Sequence, residues 1–486
     1  MKKFIAVFIL ILMTLSFISC GTTEVIDDED IKTNIEDMYN SDGTVKLISD
    51  TNGYEFKLFA RRHGANPAEL WPEVGAYDRG DKLLLRYKET ETAFNCTVLV
   101  EEKNVEVVNI QKDVSAGLKC ADLIDTDALI LSRSAEMLLV ALDDIDYDID
   151  LESGKWGSKS QLEVVNIRGL QYGFRSAYWS LPWPSAKGVL YFRPNVLREA
   201  QLANPFELYE KRDWTWKQFE VMLSALTFKG ETKNDDHYGM CAPTAAILPE
   251  VAVLANGGRS VYLDEKDGLY KFGMNDPKVL EALEWVRKLI REDESIKYIA
   301  DWSTVGHRGF INGLYGFHLE QGWKGFQTGP DNFPMEILEE YAWCSFPIGP
   351  NGSYDTVSAV ATSENRYFCI PISPDQEYEL TLQIIDFMFN PLPGENKDSW
   401  QEELYRNYFW DGYDGQQSFK HYLNMVTNAR LDYSTTIEQA LRSDSKGILS
   451  VYQKTINSTK SITEAIAAVQ SFVETEINTK LNHIEE

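Results

Sequence analysis

The sequence predicts an α/β fold with a mostly parallel sheet, followed by a helical C-terminal extension. Segments of strand composition alternate with helix-like segments from residue 53 onward, which is typical of chains built from βα units. The 486 residues, of which 44% are hydrophobic, are enough for two or three domain-sized units, or for two large lobes. The last ~90 residues have helical periodicity, and this predicts the extension.

The first elements alternate between strand and helix along the chain. Residues 53–60 and 96–100 are short apolar runs that predict strands, and residues 80–93 between them predict a helix. A second helical stretch leads to residues 128–131, which predict a short buried strand. Because helices separate the strands, we expect the strands to pair in parallel.

Later helices carry recognisable start signals in their first turn. A short polar cap residue is followed by glutamine or glutamate three residues later, or by proline at the first helical position. The signals are Thr215 with Gln218, Asp276 with Pro277, Ser373 with Pro374 and Gln376, and Ser461 with Glu464. Residues 391–416 are polar and aromatic and predict a loop region within the helical extension.

The N-terminus predicts an export signal over residues 1–19. Lys2 and Lys3 precede an uncharged apolar stretch, and the small residue Ser19 stands before Cys20. This arrangement resembles the lipobox of bacterial lipoproteins, although Phe17 stands where that family usually has leucine. The resemblance implies diacylation of Cys20 and a membrane anchor, with an acidic tether over residues 20–45. A plain signal peptide or an uncleaved anchor would produce a similar pattern.

Composition disfavours several classes of partner. A net charge of −28 repels phosphate backbones and anionic membrane surfaces, so a nucleic-acid partner is not expected. The five cysteines after Cys20 are widely spaced and predict buried free thiols. The aromatic share of 12% would suit carbohydrate, because an aromatic ring offers a flat apolar face to a sugar.

No motif predicts catalysis, a cofactor or a metal site. We find no P-loop, nucleophile elbow, HExxH or GxGxxG, and the six histidines show no metal-ligand spacing. His307 and His318 are eleven residues apart, and we interpret them as structural. A surface glycosidase is the enzyme alternative, and it would require two carboxylates placed across a sugar cleft.

Several segments between residues ~185 and 390 follow one another in a characteristic order and spacing. The segments are 188–197, Asn204-Pro205, Trp214-Thr-Trp216 with Phe219, Ala255-Asn-Gly-Gly258, Asn275-Asp-Pro277, Phe310 to Gly313 followed by Gly322-Trp323, Phe346 to Gly352, and Ile384 to Phe387. Together they resemble the extracellular solute-binding proteins of bacterial ABC importers, family 1, which mostly carry sugars. Phe192 and Arg193 depart from the tyrosine and asparagine usual in that family.

The resemblance implies a two-lobed, periplasmic-binding-protein-like fold of type II, with the ligand in a cleft between the lobes. It places lobe 1 at 46–187 plus 302–345, and lobe 2 at 188–301 plus 346–486 with the C-terminal helices. The implied function is capture of a carbohydrate, expected to be an oligosaccharide, for ABC permease subunits. We expect the protein to be a monomer on the extracellular face of the cell membrane of a Gram-positive-like bacterium. We expect the lipid to be its only attachment to that membrane. The alternatives are a peptide receptor of this fold and a sensing or adhesion lipoprotein of the same fold.

Candidate ligand-binding residues combine aromatic rings with polar groups near the implied cleft. Trp323 follows the Phe310–Gly313 segment, where the family often has a ligand-facing aromatic residue. The stiff loop around Pro184 carries three further rings. Of the remaining candidates, four lie after strands or near an implied lobe crossing, and Glu320 and Gln321 could hydrogen-bond sugar hydroxyls. The full set is Trp323, Tyr178, Trp179, Trp183, Trp71, Trp302, His307, Arg133, Glu320 and Gln321. Each of them has a structural alternative, as a core aromatic residue or a surface ion pair.

Overall fold

The computed structural model describes most of the chain after residue 37. The residues described are 38–60, 70, 78–103, 107–127, 137–179, 186–232, 235–243, 247–299, 304–326, 341–355, 360–361, 366–374, 376–430, 432–436 and 445–482. The predicted signal segment, Cys20 and most of the predicted tether lie outside these residues.

A four-stranded sheet forms the first unit, with strand order β14-β3-β1-β2. β1, β2 and β3 are parallel, with Tyr54 opposite Cys96, whereas β14 is antiparallel to β3. The elements are β1 (Tyr54–Ala60), α1 (Asp78–Phe94), β2 (Cys96–Glu102), α2 (Val107–Ser115), β3 (Leu123–Asp127), a 3-10 turn (Leu142–Asp144), α3 (Lys159–Glu163), β4 (Asn166–Ile167), β5 (Leu170–Gln171), β14 (Arg366–Cys369) and α10 (Tyr378–Met388).

The second unit is built on a six-stranded mixed sheet of order β10-β7-β11-β6-β12, with β13 also paired to β6. β10, β7 and β11 are parallel, and β6 runs antiparallel to its neighbours. The elements are β6 (Ala186–Phe192), α4 (Pro194–Glu199), α5 (Pro205–Glu210), α6 (Trp216–Ala225), β7 (Tyr238–Pro243), α7 (Ile247–Ala255), β8 (Val261–Asp264), β9 (Leu269–Phe272), α8 (Pro277–Arg291), β10 (Ile296–Ile299), α9 (Thr304–Ile311), β11 (Tyr315–Gln321), a 3-10 helix (Gly322–Phe326), β12 (Ala342–Cys344) and β13 (Val360–Ala361).

The C-terminal region is helical, as predicted, and part of it covers the second sheet. Its elements are α11 (Ser399–Tyr408), α12 (Gly415–Thr427), a 3-10 turn (Tyr433–Thr436), α13 (Ile448–Asn457) and α14 (Ile462–Lys480). The loop predicted over residues 391–416 is partly wrong, because α11 lies within it. None of the helices in the described part of the chain combines the length and apolar composition that crossing a bilayer requires.

The first three predicted elements are confirmed, and the sheet contains a further strand that the sequence does not predict. The strands predicted at 53–60 and 96–100 and the helix at 80–93 correspond to β1, β2 and α1. The third strand of this sheet is β3, at Leu123–Asp127, whereas the predicted strand at 128–131 lies outside the described residues.

The predicted lobe boundaries differ from the strand pairing. β11 and β12 pair with β6, so the described strands of the segment 302–345 belong to the second sheet. β14 pairs with β3, so part of the segment 346–486 returns to the first sheet. The physical reason is that sheet membership follows hydrogen bonding between strands distant in sequence, which a local pattern does not contain.

Each sheet has its own hydrophobic core, and a third cluster connects the two. The first core contains Phe56 and Leu58, and the second contains Phe192 and Phe317. The third cluster includes Phe59 of the first sheet together with buried side chains of β6 and α12. The cysteines at 96, 120, 241, 344 and 369 are buried and unpaired, as predicted.

Candidate ligand-binding site

The chain passes between the two sheets at one end of the strands of the second sheet, beside the first residue of β6. This end of the strands is called the edge below. β6 begins at Ala186, directly after the segment 180–185 that leads from the first unit. At the same edge, Val360–Ala361 of β13 pairs with Lys187 and Ala186 before residues 362–365 return the chain to the first sheet. Both connecting segments lie outside the described residues. The described strands on the far side of these segments, β6 and β13, therefore meet at the end of the second sheet where β6 begins.

The carboxyl end of β11 lies at this edge as well. Gln321, the last residue of β11, pairs with Lys187, and the register shifts between Glu320 and Gln321. Such bulges re-aim side chains and are common beside functional sites. Open α/β sheets bind ligands outside the carboxyl ends of their strands, so this edge is the candidate site.

Buried polar groups gather at the end of β11. The Glu320 side chain is 1% exposed, and its Oε1 accepts a hydrogen bond from the backbone N–H of Gln321 at 2.9 Å. Its Oε2 lies 3.6 Å from Nε2 of His307, which projects from α9. Nearby on β6, Lys187 Nζ lies 3.9 Å from Oε2 of Glu250.

His318 shares one face of β11 with Glu320, because alternate residues of a strand point to the same side. Its ring centroid lies 5.2 Å from that of His307 and 5.6 Å from that of Phe310. Burial lowers the pKa of His318 well below its usual value, with further contributions from His307 and Lys324. His318 is therefore a neutral imidazole at physiological pH.

The 3-10 helix Gly322–Phe326 follows β11 directly and carries the backbone of Trp323. The Tyr191 hydroxyl lies 3.2 Å from the carbonyl oxygen of Gln321 and 3.3 Å from that of Gly322, within hydrogen-bonding distance of both. A Cβ on Gly325 would stand 2.0 Å from Cζ2 of Trp343, so only glycine permits this close approach. These contacts hold the turn that carries Trp323 against β6 and β12.

An aromatic cluster surrounds Phe326, the last residue of this turn. Its ring centroids are about 5 Å apart, which is the usual spacing of packed aromatic side chains. Phe326 lies 5.2 Å from Trp343 and 5.3 Å from Tyr422. The cluster consists of Phe326, Trp343, Tyr408, Phe409, Phe419 and Tyr422. It provides a rigid support for the candidate site.

The structure brings four of the ten predicted site residues to one place. His307, Glu320 and Gln321 cluster at the end of β11, and the backbone of Trp323 follows in the next turn. Trp71, Arg133, Trp183 and Trp302 lie outside the described residues.

Tyr178 and Trp179 lie in the core of the first unit. Trp179 is fully buried, its ring centroid is 4.4 Å from that of Phe389, and its Nε1 donates a hydrogen bond to the carbonyl oxygen of Asn390 at 3.0 Å. Burial raises the pKa of Tyr178 to about 12. In this structure both rings pack the core and do not line an open surface.

Sequence reasoning missed three residues that shape this site. His318 was interpreted as structural, and neither Tyr191 nor Lys187 was considered. The available signal was the pattern His318-x-Glu320 on one strand, which predicts a common face by the two-residue period. Tyr191 and Lys187 reach the site through strand pairing, which the sequence does not reveal locally.

Comparison with known proteins finds matches among solved structures but none among family models or curated sequences. No model of a known protein family matches the chain, and no curated protein sequence matches it. Solved structures do match. The sugar-binding protein MalE from Xanthomonas citri has 14% sequence identity and a TM-score of 0.59, over 89% of this chain and 100% of that one.

Two further structures match over similar lengths. The ABC substrate-binding protein Lmo0181 from Listeria monocytogenes, in complex with cycloalternan, has 16% identity and a TM-score of 0.52, over 88% of this chain and 99% of that one. UgpB from Mycobacterium tuberculosis, in complex with glycerophosphocholine, has 14% identity and a TM-score of 0.55, over 88% and 99%. The predicted fold is confirmed: the chain has the two-lobed α/β fold of ABC solute-binding proteins.

Proposed function

We propose that this chain is the extracellular substrate-binding component of an ABC importer, and that it captures a carbohydrate, specifically an oligosaccharide. The observation that carries the proposal is the extent of the structural match. The chain aligns with almost the whole length of MalE and of Lmo0181, two binding proteins whose ligands are sugars. Permease subunits, which would receive the ligand, are the implied partners, and ATP hydrolysis would belong to partner subunits of the same importer.

The chemistry at the end of β11 supports a sugar ligand. Trp323 stands in a turn held by Tyr191 and the aromatic cluster, where its ring would stack on the C–H face of a sugar. Gln321 adds an amide that donates and accepts hydrogen bonds, as sugar hydroxyls require. An aromatic ring and an amide group at the carboxyl end of a strand would suit a neutral polyhydroxylated ligand.

Equilibrium dialysis of the full chain against a mixture of mono- and oligosaccharides tests capture against catalysis. A receptor enriches one glycan class on the protein side and returns it chemically intact. A glycosidase would instead yield shorter sugars. Because UgpB binds glycerophosphocholine, the mixture includes that compound. Enrichment of glycerophosphocholine in place of any glycan would contradict the carbohydrate assignment.

We further propose that Cys20 anchors the protein through lipid. We expect Cys20→Ser to release the protein into the medium, or to leave the leader uncleaved, because serine has no thiol to acylate. Membrane fractionation and the mass of the N-terminal fragment measure both outcomes, with Cys96→Ser as the control that retains lipidation. Normal membrane retention of a mature-length Cys20→Ser chain would contradict the anchor.

A further inference from the structure

We infer that His307, His318 and Glu320 form a binding site for a divalent first-row transition metal such as Zn²⁺. Each offers one ligand atom, and these atoms lie within 4.8 Å of one another. Two imidazoles and one carboxylate are an established ligand set for zinc and for non-haem iron. This inference does not depend on the proposed function.

The distances suit a small cation. Ligand bonds of about 2.0–2.1 Å at tetrahedral angles place neighbouring ligand atoms about 3.3 Å apart. His307 Nε2 and Glu320 Oε2 are separated by 3.6 Å, close to that edge length. Every pair of the three ligand atoms lies within 4.8 Å, about 1.5 Å or less above the tetrahedral spacing.

The backbone is arranged for a close approach of α9 to β11. A Cβ on Gly306 would lie 3.0 Å from Cys241 Sγ and 3.6 Å from His318 Cε1, and a Cβ on Gly309 would collide with Tyr315 at 2.2 Å. The two glycines let the helix lie directly on the sheet, and this brings His307 over the face that carries His318 and Glu320.

Burial and charge favour a bound cation. His307, His318 and Glu320 are 5%, 0% and 1% exposed. A buried carboxyl group requires a partner, and a divalent metal held by this carboxyl group and two imidazoles would provide one. The backbone N–H of Gln321 fixes the other carboxylate oxygen, as outer-shell hydrogen bonds do in metal sites.

Three protein ligands leave a fourth coordination position for a water molecule or a ligand oxygen. Mg²⁺ and Ca²⁺ prefer sites composed only of oxygen atoms, so two imidazoles select against them. This selectivity separates the proposed site from weak cation binding to the acidic surface of a chain with net charge −28.

The test uses the full chain after removal of metal with a chelator. Zn²⁺ is titrated against a chromophoric competitor in excess Mg²⁺ and Ca²⁺, and we expect one equivalent to bind tightly. We expect His307→Gln and Glu320→Gln each to weaken binding at least tenfold. The matched control is His421→Gln, which removes a buried imidazole from another part of the fold. Absence of a tight equivalent, or equal affinity in all variants, would overturn the inference.

A measurement on the unmodified chain guards against variants that fail to fold. X-ray absorption of the Zn²⁺-loaded protein should show two imidazoles with oxygen ligands at about 2.0–2.2 Å. A ligand shell of oxygen alone, or one dominated by sulfur, would assign the zinc elsewhere and overturn the site.

Discussion

His421 is a buried neutral imidazole whose protonation is coupled to folding. It lies at 3.0 Å from the Ser345 hydroxyl through Nδ1, and its ring packs 5.1 Å from that of Phe206. Burial, with a smaller contribution from Lys420, lowers its pKa to about 3 from the ordinary 6.5. Between these two values the unfolded chain holds a proton that the folded chain lacks.

Acidification should therefore destabilise the protein through His421. Because its folded-state pKa is the lower one, this effect begins as the pH falls below about 6.5 and ends near about pH 3, with a maximal slope of about 1.4 kcal/mol per pH unit. Unfolding midpoints of the full chain and of His421→Gln, measured between about pH 6 and 4, check it. We expect the unmodified chain to lose stability more steeply; parallel curves would contradict the assignment.

Trp323 is the residue on which the proposed sugar site depends most. We expect Trp323→Ala to weaken glycan binding by about 1–3 kcal/mol, because an aromatic ring that is covered by its ligand contributes that much at a binding site. Titration calorimetry with the glycan recovered by dialysis measures the change. The control is Trp410→Ala, which removes a ring that is 58% exposed. Unchanged affinity in a folded Trp323→Ala variant would remove this residue from the site.

At the residue scale, the sequence predicted which residue types matter better than where they meet. The sequence indicates His307 by its position near an implied crossing, and Glu320 and Gln321 by their capacity to hydrogen-bond sugar hydroxyls, and the three residues do cluster. The eleven-residue separation of His307 and His318 concealed their proximity, because a helix, a turn and a strand fold back between them. Trp179 looked like a platform, yet it packs in the core, since aromatic residues serve both purposes equally well.

At the element scale, the capping box of α14 is complete. Ser461 Oγ accepts a hydrogen bond from the N–H of Glu464 at 3.1 Å, and the Glu464 carboxylate accepts one from the N–H of Ser461 at 3.0 Å. The Thr215 signal predicted the start of α6 correctly, but the threonine side chain makes no capping hydrogen bond. The same sequence signature therefore has two different energetic consequences.

Alanine substitution should lower the stability of the protein to a different extent at these two caps. We expect Ser461→Ala to lower the stability of the full chain by about 1 kcal/mol, because it leaves a helix N–H without its partner. The matched control, Thr215→Ala, should change stability by less than about 0.5 kcal/mol. Urea unfolding of the two variants measures both values. Equal losses would show that the capping geometry is not what stabilises these helices.

Element boundaries were predictable where local chemistry decides them. Asp276 caps α8 with Pro277 in the first turn, as the sequence indicates. The helix expected from Ser373 begins instead at Tyr378, with Glu377 at its N-cap. β3 was not predictable from the apolar pattern, because it contains the buried polar residues Asp125 and Thr126, which interrupt the pattern that a buried strand usually shows.

At the scale of the whole molecule, the sequence predicted the α/β class and the helical extension, but not the path between the sheets. Two chain crossings meet at the edge where β6 begins and β11 ends. The pairing of β11 and β12 with β6, and of β14 with β3, joins segments that are distant along the chain. Those pairings position the candidate site, so its geometry could emerge only from the complete fold.

The measurement that tests the central claim most directly is thermal unfolding of the full chain with separate panels of glycans and short peptides. A ligand present at about 100 times its Kd adds about 2.7 kcal/mol of stability, which raises the melting temperature measurably. The account predicts that at least one glycan class raises the melting temperature and that peptides do not. A rise with peptides alone, or with neither panel, would contradict the carbohydrate receptor.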